Sequence, residues 1–417
     1  MRGSEHTGWF RSMTVGNNAF PAASGRWVPK PKVPVYPVLS SLCPGPPRVG
    51  DIGSTLDRPM SLWTENGRTA LYWAIRGSIG SDRNEVLCPA YHCLSMVDAI
   101  RAAGGQPVFF RCSPDLSANV AELERHLTAR TAAVVLVHFF GVMEVDLEMR
   151  PWADSIGIVL VEDCAHALFG GDDETPVGRI GHYAISSVRK FLPVAPGGLL
   201  TVNTGDDALE GVAVAGARGD ALRAVVGAIG DSTRHGRLGS VRRVAEAAKW
   251  AVDLARKRRQ PATSSVVPPS SPIALWACKR PSRSSHIYNR FITKAVNRPF
   301  LAERRREIYE RVIEVAGSCK NVVPLKNKLS ANAVPYMVPL RVSNLCQVFE
   351  DLEDAGMPML RFGQFLDGGR DSAKGDVARA WSQDGLQLPC HQSLCDSEVE
   401  AMLELFVTVV GRREHSY

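Results

Sequence analysis

The sequence holds ten cysteines in 417 residues but no C-x-x-C pair. Cys88 and Cys93, and again Cys390 and Cys395, each have four residues between them, and neither pair has a second half to complete a zinc site. Several cysteines lie in apolar runs, where a free thiol behaves as a small hydrophobe, and reduced thiols are expected. No apolar run reaches membrane-spanning length; the longest, residues 132–142, is interrupted by His138. Residues 1–20 have no apolar core behind a basic start, so no secretory signal is expected there. A soluble, cytoplasmic protein follows from these absences, with no membrane insertion. The basic clusters at residues 256–259 and 304–306 contain no aromatics, which argues against a nucleic-acid surface. They are expected to be solvated helix faces. No internal repeat is found.

What is present is a chain able to build a large core. Hydrophobic residues make up 45%, charged residues 22%, and the net charge is +6. Residues 1–50 are rich in Pro, which cannot donate to a ladder, so an extended N-terminal arm is expected. From about residue 62 to 204 strands and helices alternate. Val134-Val-Leu-Val-His-Phe139 and Ile158-Val-Leu-Val161 are continuously apolar, as strands are when helices cover both faces of a sheet. The spacing predicts helices at 69–76, 303–316, 345–355 and 397–410, and strands at 334–342 and 357–361. The fold class is α/β with a mostly parallel sheet. The expected division is an arm at 1–50, a large α/β domain at 51–260, a Ser/Pro-rich loop and linker at 261–300, and a smaller α+β domain at 301–417.

Two segments carry the chemistry. Val159-Leu-Val-Glu-Asp163-Cys-Ala-His166 delivers an acid and a His at the carboxyl end of a strand, where open α/β sheets bind ligands. Ser187-Val-Arg-Lys190 places an amine ahead of Gly197-Gly198. An acid and an amine at one sheet edge are what pyridoxal phosphate chemistry needs: the amine forms the imine and the acid keeps the pyridine nitrogen protonated. Asp163 as a mere helix cap, and Lys190 as a surface lysine, are the bland alternatives. Asn66-Gly-Arg-Thr-Ala-Leu71 opens a helix whose free N–H groups suit a phosphate, with Gly67 allowing close approach, Arg68 a charge and Thr69 a hydroxyl. Asn66 as an ordinary N-cap is the competing reading, and Ser187 either shares the phosphate or simply ends a strand. His92 or Cys93 is a candidate to lie against a flat ring, with Tyr91 as core. His391 is a candidate to reach the substrate, and packing is an equal alternative.

In this order the segments resemble the DegT/DnrJ/EryC1/StrS family of sugar aminotransferases, which have the fold type I architecture of pyridoxal phosphate enzymes. The residues that carry the resemblance are Asn66-Gly-Arg-Thr-Ala-Leu71, Val86-Leu-Cys-Pro-Ala-Tyr-His-Cys93, Val137-His-Phe-Phe-Gly141, Val161-Glu-Asp-Cys-Ala-His-Ala167, Val177-Gly-Arg-Ile-Gly181 and the spacing from Lys190 to Gly198. The resemblance implies that Lys190 carries the cofactor and shuttles a proton, and that Asp163 pairs with its ring nitrogen. It places His166, where the family has Gln, near the ring oxygen, and gives the phosphate to Arg68, Thr69 and Ser187. It further implies an amino-acid donor, a keto-sugar or related acceptor, a polysaccharide or secondary-metabolite pathway, and a homodimer. Three departures stand out. Two residues separate Ser187 from Lys190 where the family has four, Cys93 stands where the family stacks an aromatic, and no N-x-R-x-S segment is found. A dehydratase of the same family would carry His at position 190, and a non-catalytic relative is the third reading.

Overall fold

The computed structural model describes residues 19–21, 27–29, 31–39, 52–57, 60–143, 145–171, 175–194, 197–204, 218–239, 287–367 and 376–411. The basic cluster at 256–259 and the Ser/Pro-rich stretch 261–285 lie outside them.

The N-terminal arm is more structured than its prolines suggest. Strands β1 (Ala19–Pro21) and β2 (Trp27–Pro29) pair antiparallel, with Pro21 and Pro29 at strand ends where a missing N–H costs least. The chain then crosses to β3 (Ser61–Thr64) and α1 (Gly67–Arg76), followed by β4 (Glu85–Pro89), α2 (Leu94–Ala102), β5 (Gln106–Phe110), α3 (Val120–Glu124), β6 (Thr131–Val137), α4 (Met149–Ser155), β7 (Val159–Cys164), β8 (Tyr183–Ser187) and β9 (Gly198–Val202).

Strands β3 to β9 form one seven-stranded sheet in the order β3-β9-β8-β7-β6-β4-β5. Strands β8, β7, β6, β4 and β5 run parallel, and β9 is antiparallel to both of its neighbours. Adjacent residues of one strand feed opposite faces. Val86 and Cys88 pack with Ala70, Ile75, Met96 and Ile100 of α1 and α2. Leu87 packs with Leu123, Met149 and Ala153 of α3 and α4. Burial on both sides explains why these strands read as unbroken apolar runs.

After α5 (Arg218–Arg234), helix α6 (Ile287–Ala295) falls where a loop and linker were expected. Asn297 caps α7 (Arg298–Gly317) by accepting from the Phe300 N–H, and Pro299 lies in its first turn, where no N–H is needed. Then come β10 (Val322–Pro324), β11 (Met337–Val342), α8 (Leu345–Asp354), α9 (Asp376–Asp384), β12 (Gly385–Pro389) and α10 (Asp396–Gly411). Strands β10, β11 and β12 form a separate antiparallel sheet. Its core joins Ile308 and Val312 of α7, Val348 of α8 and Phe406 of α10 to Val338 and Leu388, and it reaches Tyr91, Phe139 and Phe140 from the large sheet's loops.

Two expectations need correction. Residues 357–361 are not a strand: one bridge, Leu360 to Gln387, is all that forms, because Gly356 and Gly363 turn the chain at either end with φ of 71° and 67°. Nor is the cluster 304–306 a solvated face. Arg305 is fully buried, Arg304 pairs with Glu307 and Asp396, and Arg306 donates to the carbonyls of Ser330, Ala331 and Ala333. Among the described residues no helix is long and apolar enough to cross a membrane.

Candidate active site

Three strand ends meet one helix start. Asn66 caps α1, its side chain accepting the Thr69 N–H at 3.0 Å, so the capping reading holds. A cap satisfies one of the helix's free donors and leaves others at the N-terminus. Those donors face the end of β8: a Cβ placed on Gly67 would lie 3.5 Å from the Ser187 Cβ. Gly198 makes this approach possible. A Cβ there would come within 2.3 Å of the Asn66 backbone, so β9 passes under the helix start only as glycine. Thr69 is buried, and Arg68 is half-buried near Asp98 of α2, whose carboxyl it draws downward against the larger upward push of burial.

The short link from Ser187 to Lys190 has a local cause. The chain leaves β8 directly into a 3₁₀ turn, Val188–Lys190, which needs few residues to reverse course. The turn is tied back by the Val188 N–H to the Gly197 carbonyl at 3.1 Å and sealed by buried Val188 and Phe191. It leaves Lys190 half-buried, with Nζ 5.3 Å from the centre of the Tyr336 ring.

Loss of water around the Lys190 ammonium lowers its pKa to about 8; Arg189 lowers it further, while Cys93 and Asp163 oppose the shift. Asp163, from the end of β7, is 7% exposed, and burial raises its pKa against the Ala165 N–H, Lys190 and His138. Its Oδ1 accepts the Ala165 N–H at 2.9 Å. One strand position earlier, Glu162 faces elsewhere: its carboxylate bonds His138 at 2.8 Å and the Gly181 N–H.

His166 is buried and neutral, its pKa held well below the usual value by burial and then by Lys190. Its Nδ1 accepts the Phe140 N–H at 3.3 Å, which leaves Nε2 as the N–H donor. The ring is layered between Phe140 (5.4 Å) and Tyr336 (4.9 Å). Phe140 sits at φ 58°, a left-handed conformation that a bulky residue holds only when its surroundings over-determine it. Here its N–H serves His166 and its carbonyl takes the Tyr336 N–H at 2.7 Å. The strained residue thus joins the two sheets at the site.

The structure therefore brings together Gly67, Thr69, Ser187, Lys190, Asp163, His166 and, as a neighbour of Lys190, Cys93. Two candidates are placed otherwise. His92 has both nitrogens engaged: Nδ1 lies 2.9 Å from the Ala90 carbonyl, Nε2 accepts the Asp367 N–H at 3.0 Å, and the ring stacks on Phe109. It is a buried packing histidine, kept neutral by burial. His391 spends Nε2 on the Pro34 carbonyl at 3.0 Å, so it fastens the arm instead of reaching a substrate. Tyr91 is core, stacked on Phe139.

Reading the sequence missed Tyr336, Tyr36 and Arg305. Arg305 reaches from α7 to the carbonyls of Pro335, Tyr336 and Phe191 and to Gln392 Oε1, with its guanidinium 4.6 Å from the Phe191 ring centre. It locks the Lys190 turn to the segment that carries Tyr336 into β11. No local pattern marks these residues, because their role exists only once the two sheets are packed.

Pyridoxal phosphate is the group the motifs imply, and the residues present fit it on two observations. The buried Asp163 has no cation at ion-pair distance among the described residues, and a ring N–H⁺ is the partner that a buried carboxylate lacks. The glycine-lined start of α1 with Ser187 is a cradle for an anion.

The architecture is that of fold type I pyridoxal phosphate enzymes. The chain is similar to the aminotransferase TlmJ from Streptoalloteichus hindustanus, with a TM-score of 0.59 at 20% identity over 85% of this chain and 87% of that one. It is equally similar to Helicobacter pylori PseC, an aminotransferase of pseudoaminic acid biosynthesis, with a TM-score of 0.59 at 15% identity over 90% and 99% of the two chains. Residues 54–219 match the model of the DegT/DnrJ/EryC1/StrS aminotransferase family, so the resemblance carried by the motifs holds over that stretch. Among curated relatives, GDP-perosamine synthase of Vibrio cholerae is 29% identical over 143 residues, 33% of this chain and 39% of the relative. L-glutamine:scyllo-inosose aminotransferase of Streptomyces griseus is 29% identical over 162 residues, 38% and 37% of the two chains. The chain thus matches about two fifths of the length of these relatives.

Proposed function

We propose that the protein is a pyridoxal phosphate-dependent aminotransferase that moves an amino group from an amino acid, glutamate in the first instance, to a keto-sugar or related carbonyl. Polysaccharide or secondary-metabolite biosynthesis is the setting this chemistry fits, in a cytoplasmic homodimer with the seven-stranded sheet in the larger domain and the three-stranded sheet in the smaller. The observation that carries the reading is a buried acid, Asp163, and an amine, Lys190, close enough for each to act on the other's titration, with the Lys190 pKa lowered to about 8. A lysine so placed is closer to neutral than one in water and is the more ready nucleophile and base.

When bound, pyridoxal phosphate supplies an electron-accepting ring conjugated to the substrate's amino carbon. The residues of this chain do the rest. Asp163 would accept the ring N–H and hold that proton. His166, with Nε2 as its donor, would be available to the ring oxygen, and its stacking partners fix its plane. Arg68, Thr69, Ser187 and the N–H groups at the start of α1 would hold the phosphate. Cys93 would be a smaller ring neighbour than the aromatic of the family. Lys190 Nζ would carry the cofactor and move the proton at the reacting carbon, a role in which a pKa near working pH is the effective one. Lys190 also speaks against the dehydratase alternative.

The test is a half-reaction. Purified protein loaded with pyridoxal phosphate is mixed with glutamate, and absorbance and 2-oxoglutarate are followed together. Conversion of the cofactor to its amine form with matching 2-oxoglutarate supports the reading. A protein that takes up no cofactor contradicts it.

A further inference from the structure

The arm does more than lead into the fold. Residues 31–39 are fastened across the small sheet and α5 by bonds that are far apart in sequence. His391 binds the Pro34 carbonyl, the Ser393 hydroxyl binds both the N–H and the carbonyl of Val38, the Leu39 N–H reaches Ser232 at 2.8 Å, and His235 reaches the Lys32 carbonyl at 2.8 Å. Val33 and Val38 are buried beneath it. This anchorage holds up one residue, Tyr36, which stays 37% exposed. Its side chain lies close enough to that of Tyr336 to raise the Tyr336 pKa, after the larger effect of burial, and the Tyr336 ring lies beneath Lys190 and against His166. Its ring holds the guanidinium of Arg189 at 5.7 Å.

Arg189 is the neighbour of Lys190 and is exposed. Among the described residues no Asp or Glu pairs with it. A guanidinium held by an aromatic face keeps its N–H edge available, and that edge matches two oxygens of a carboxylate or phosphate.

We propose that the strap of residues 31–39 completes the active site, with Arg189 the receptor for an anionic group of the substrate and Tyr36 the residue that positions Arg189. The shared chemistry is a carboxylate or a phosphate; the first would come from an amino-acid donor, the second from a phosphorylated sugar. That this anion belongs to a substrate rests on the aminotransferase reading, whereas the receptor does not.

The experiment uses cofactor-free full-length protein and calorimetric titration with glutarate and, separately, inorganic phosphate. Because phosphate also suits the cradle at Ser187, the wild type is compared with Ser187→Ala, Arg189→Gln, Tyr36→Ala and Tyr36→Phe. The expected result is binding that weakens at least tenfold in Arg189→Gln and Tyr36→Ala, persists in Ser187→Ala, and is largely restored in Tyr36→Phe, which keeps the ring but not the hydroxyl. Stronger Arg189-dependent binding of glutarate assigns the site to a carboxylate, and stronger binding of phosphate to a phosphate. No binding to wild type, or binding lost only in Ser187→Ala, overturns the proposal. A wild type that takes up no pyridoxal phosphate yet binds anions through Arg189 would sink the aminotransferase reading and leave the receptor standing.

Discussion

The edge of the seven-stranded sheet and the small sheet with its strap meet around Lys190, each specified by a different kind of information. At the edge, each chemical group is delivered by the strand or helix next to it in sequence: Asp163 by β7, Ser187 and Lys190 by β8 and its turn, Thr69 by the start of α1. From the other side, Tyr336, Arg305 and Tyr36 arrive through contacts between segments tens to hundreds of residues apart. On the proposed reading the first region supplies the reacting groups and the second sets the conditions under which they react. Burial is the main cause that lowers Lys190, with Arg189 adding to it, and the Tyr336 ring brought in from the other side lies 5.3 Å from Nζ.

The comparison breaks first at the edge. On the proposed reading Lys190→Ala removes both the attachment point and the proton carrier, so turnover should fall on the order of 10³-fold or more, measured as 2-oxoglutarate formed from glutamate. If the variant keeps near wild-type turnover, the edge does not hold the chemistry. Asp163→Asn keeps the shape but not the charge that, on the proposed reading, holds the ring proton. Its turnover should fall on the order of 10²-fold while the fold survives, as checked by melting temperature beside kcat.

The packing side should respond in stability before chemistry. Arg305→Met leaves the carbonyls of Pro335 and Tyr336 and Gln392 Oε1 without their donor, and should cost about 1–3 kcal/mol in urea unfolding. Gly198→Ala drives a methyl into the Asn66 backbone and should cost on the order of 1–3 kcal/mol, with weaker phosphate retention than Arg305→Met shows. Equal cofactor affinity in these two variants would mean the cradle does not depend on that close approach.

The smallest effect is a pH dependence. The folded-state pKa of Lys190, about 8, lies below that of an unfolded lysine, so between the two values the unfolded chain holds the extra proton. Stability of the cofactor-free protein should therefore rise with pH from about 8 to about 10.5 on this account. Below about 8 the ammonium is charged in both states and its burial cost is fully present. Lys190→Met should be more stable than wild type near pH 7 and lose that advantage toward pH 10, as read from melting curves across that range. A constant difference would show that Lys190 is not desolvated.

The same division explains what the sequence made legible. The continuously apolar runs of β6 and β7 announced a covered sheet, and the strand-end Asp and the Lys before Gly-Gly announced the site, because each signal lies within a few residues. His92 was misread because a His between a strand and a helix looks alike whether it faces a ligand or the backbone of Pro89 and Ala90; its second partner, Asp367, is 275 residues away. The charged cluster at 304–306 looked solvated because helix spacing does not reveal that a carbonyl-lined slot awaits Arg305. Tyr36 was hidden in a proline-rich arm whose order comes from His391 and Ser393, not from its own residues.

The central claim is that Lys190 is the amine this pocket was built around. Holoenzyme reduced with borohydride and mapped by peptide mass spectrometry should carry the pyridoxyl phosphate mass on Lys190, with no other lysine labelled to a comparable extent. A label on a different lysine, or none after saturation with cofactor, would contradict the account.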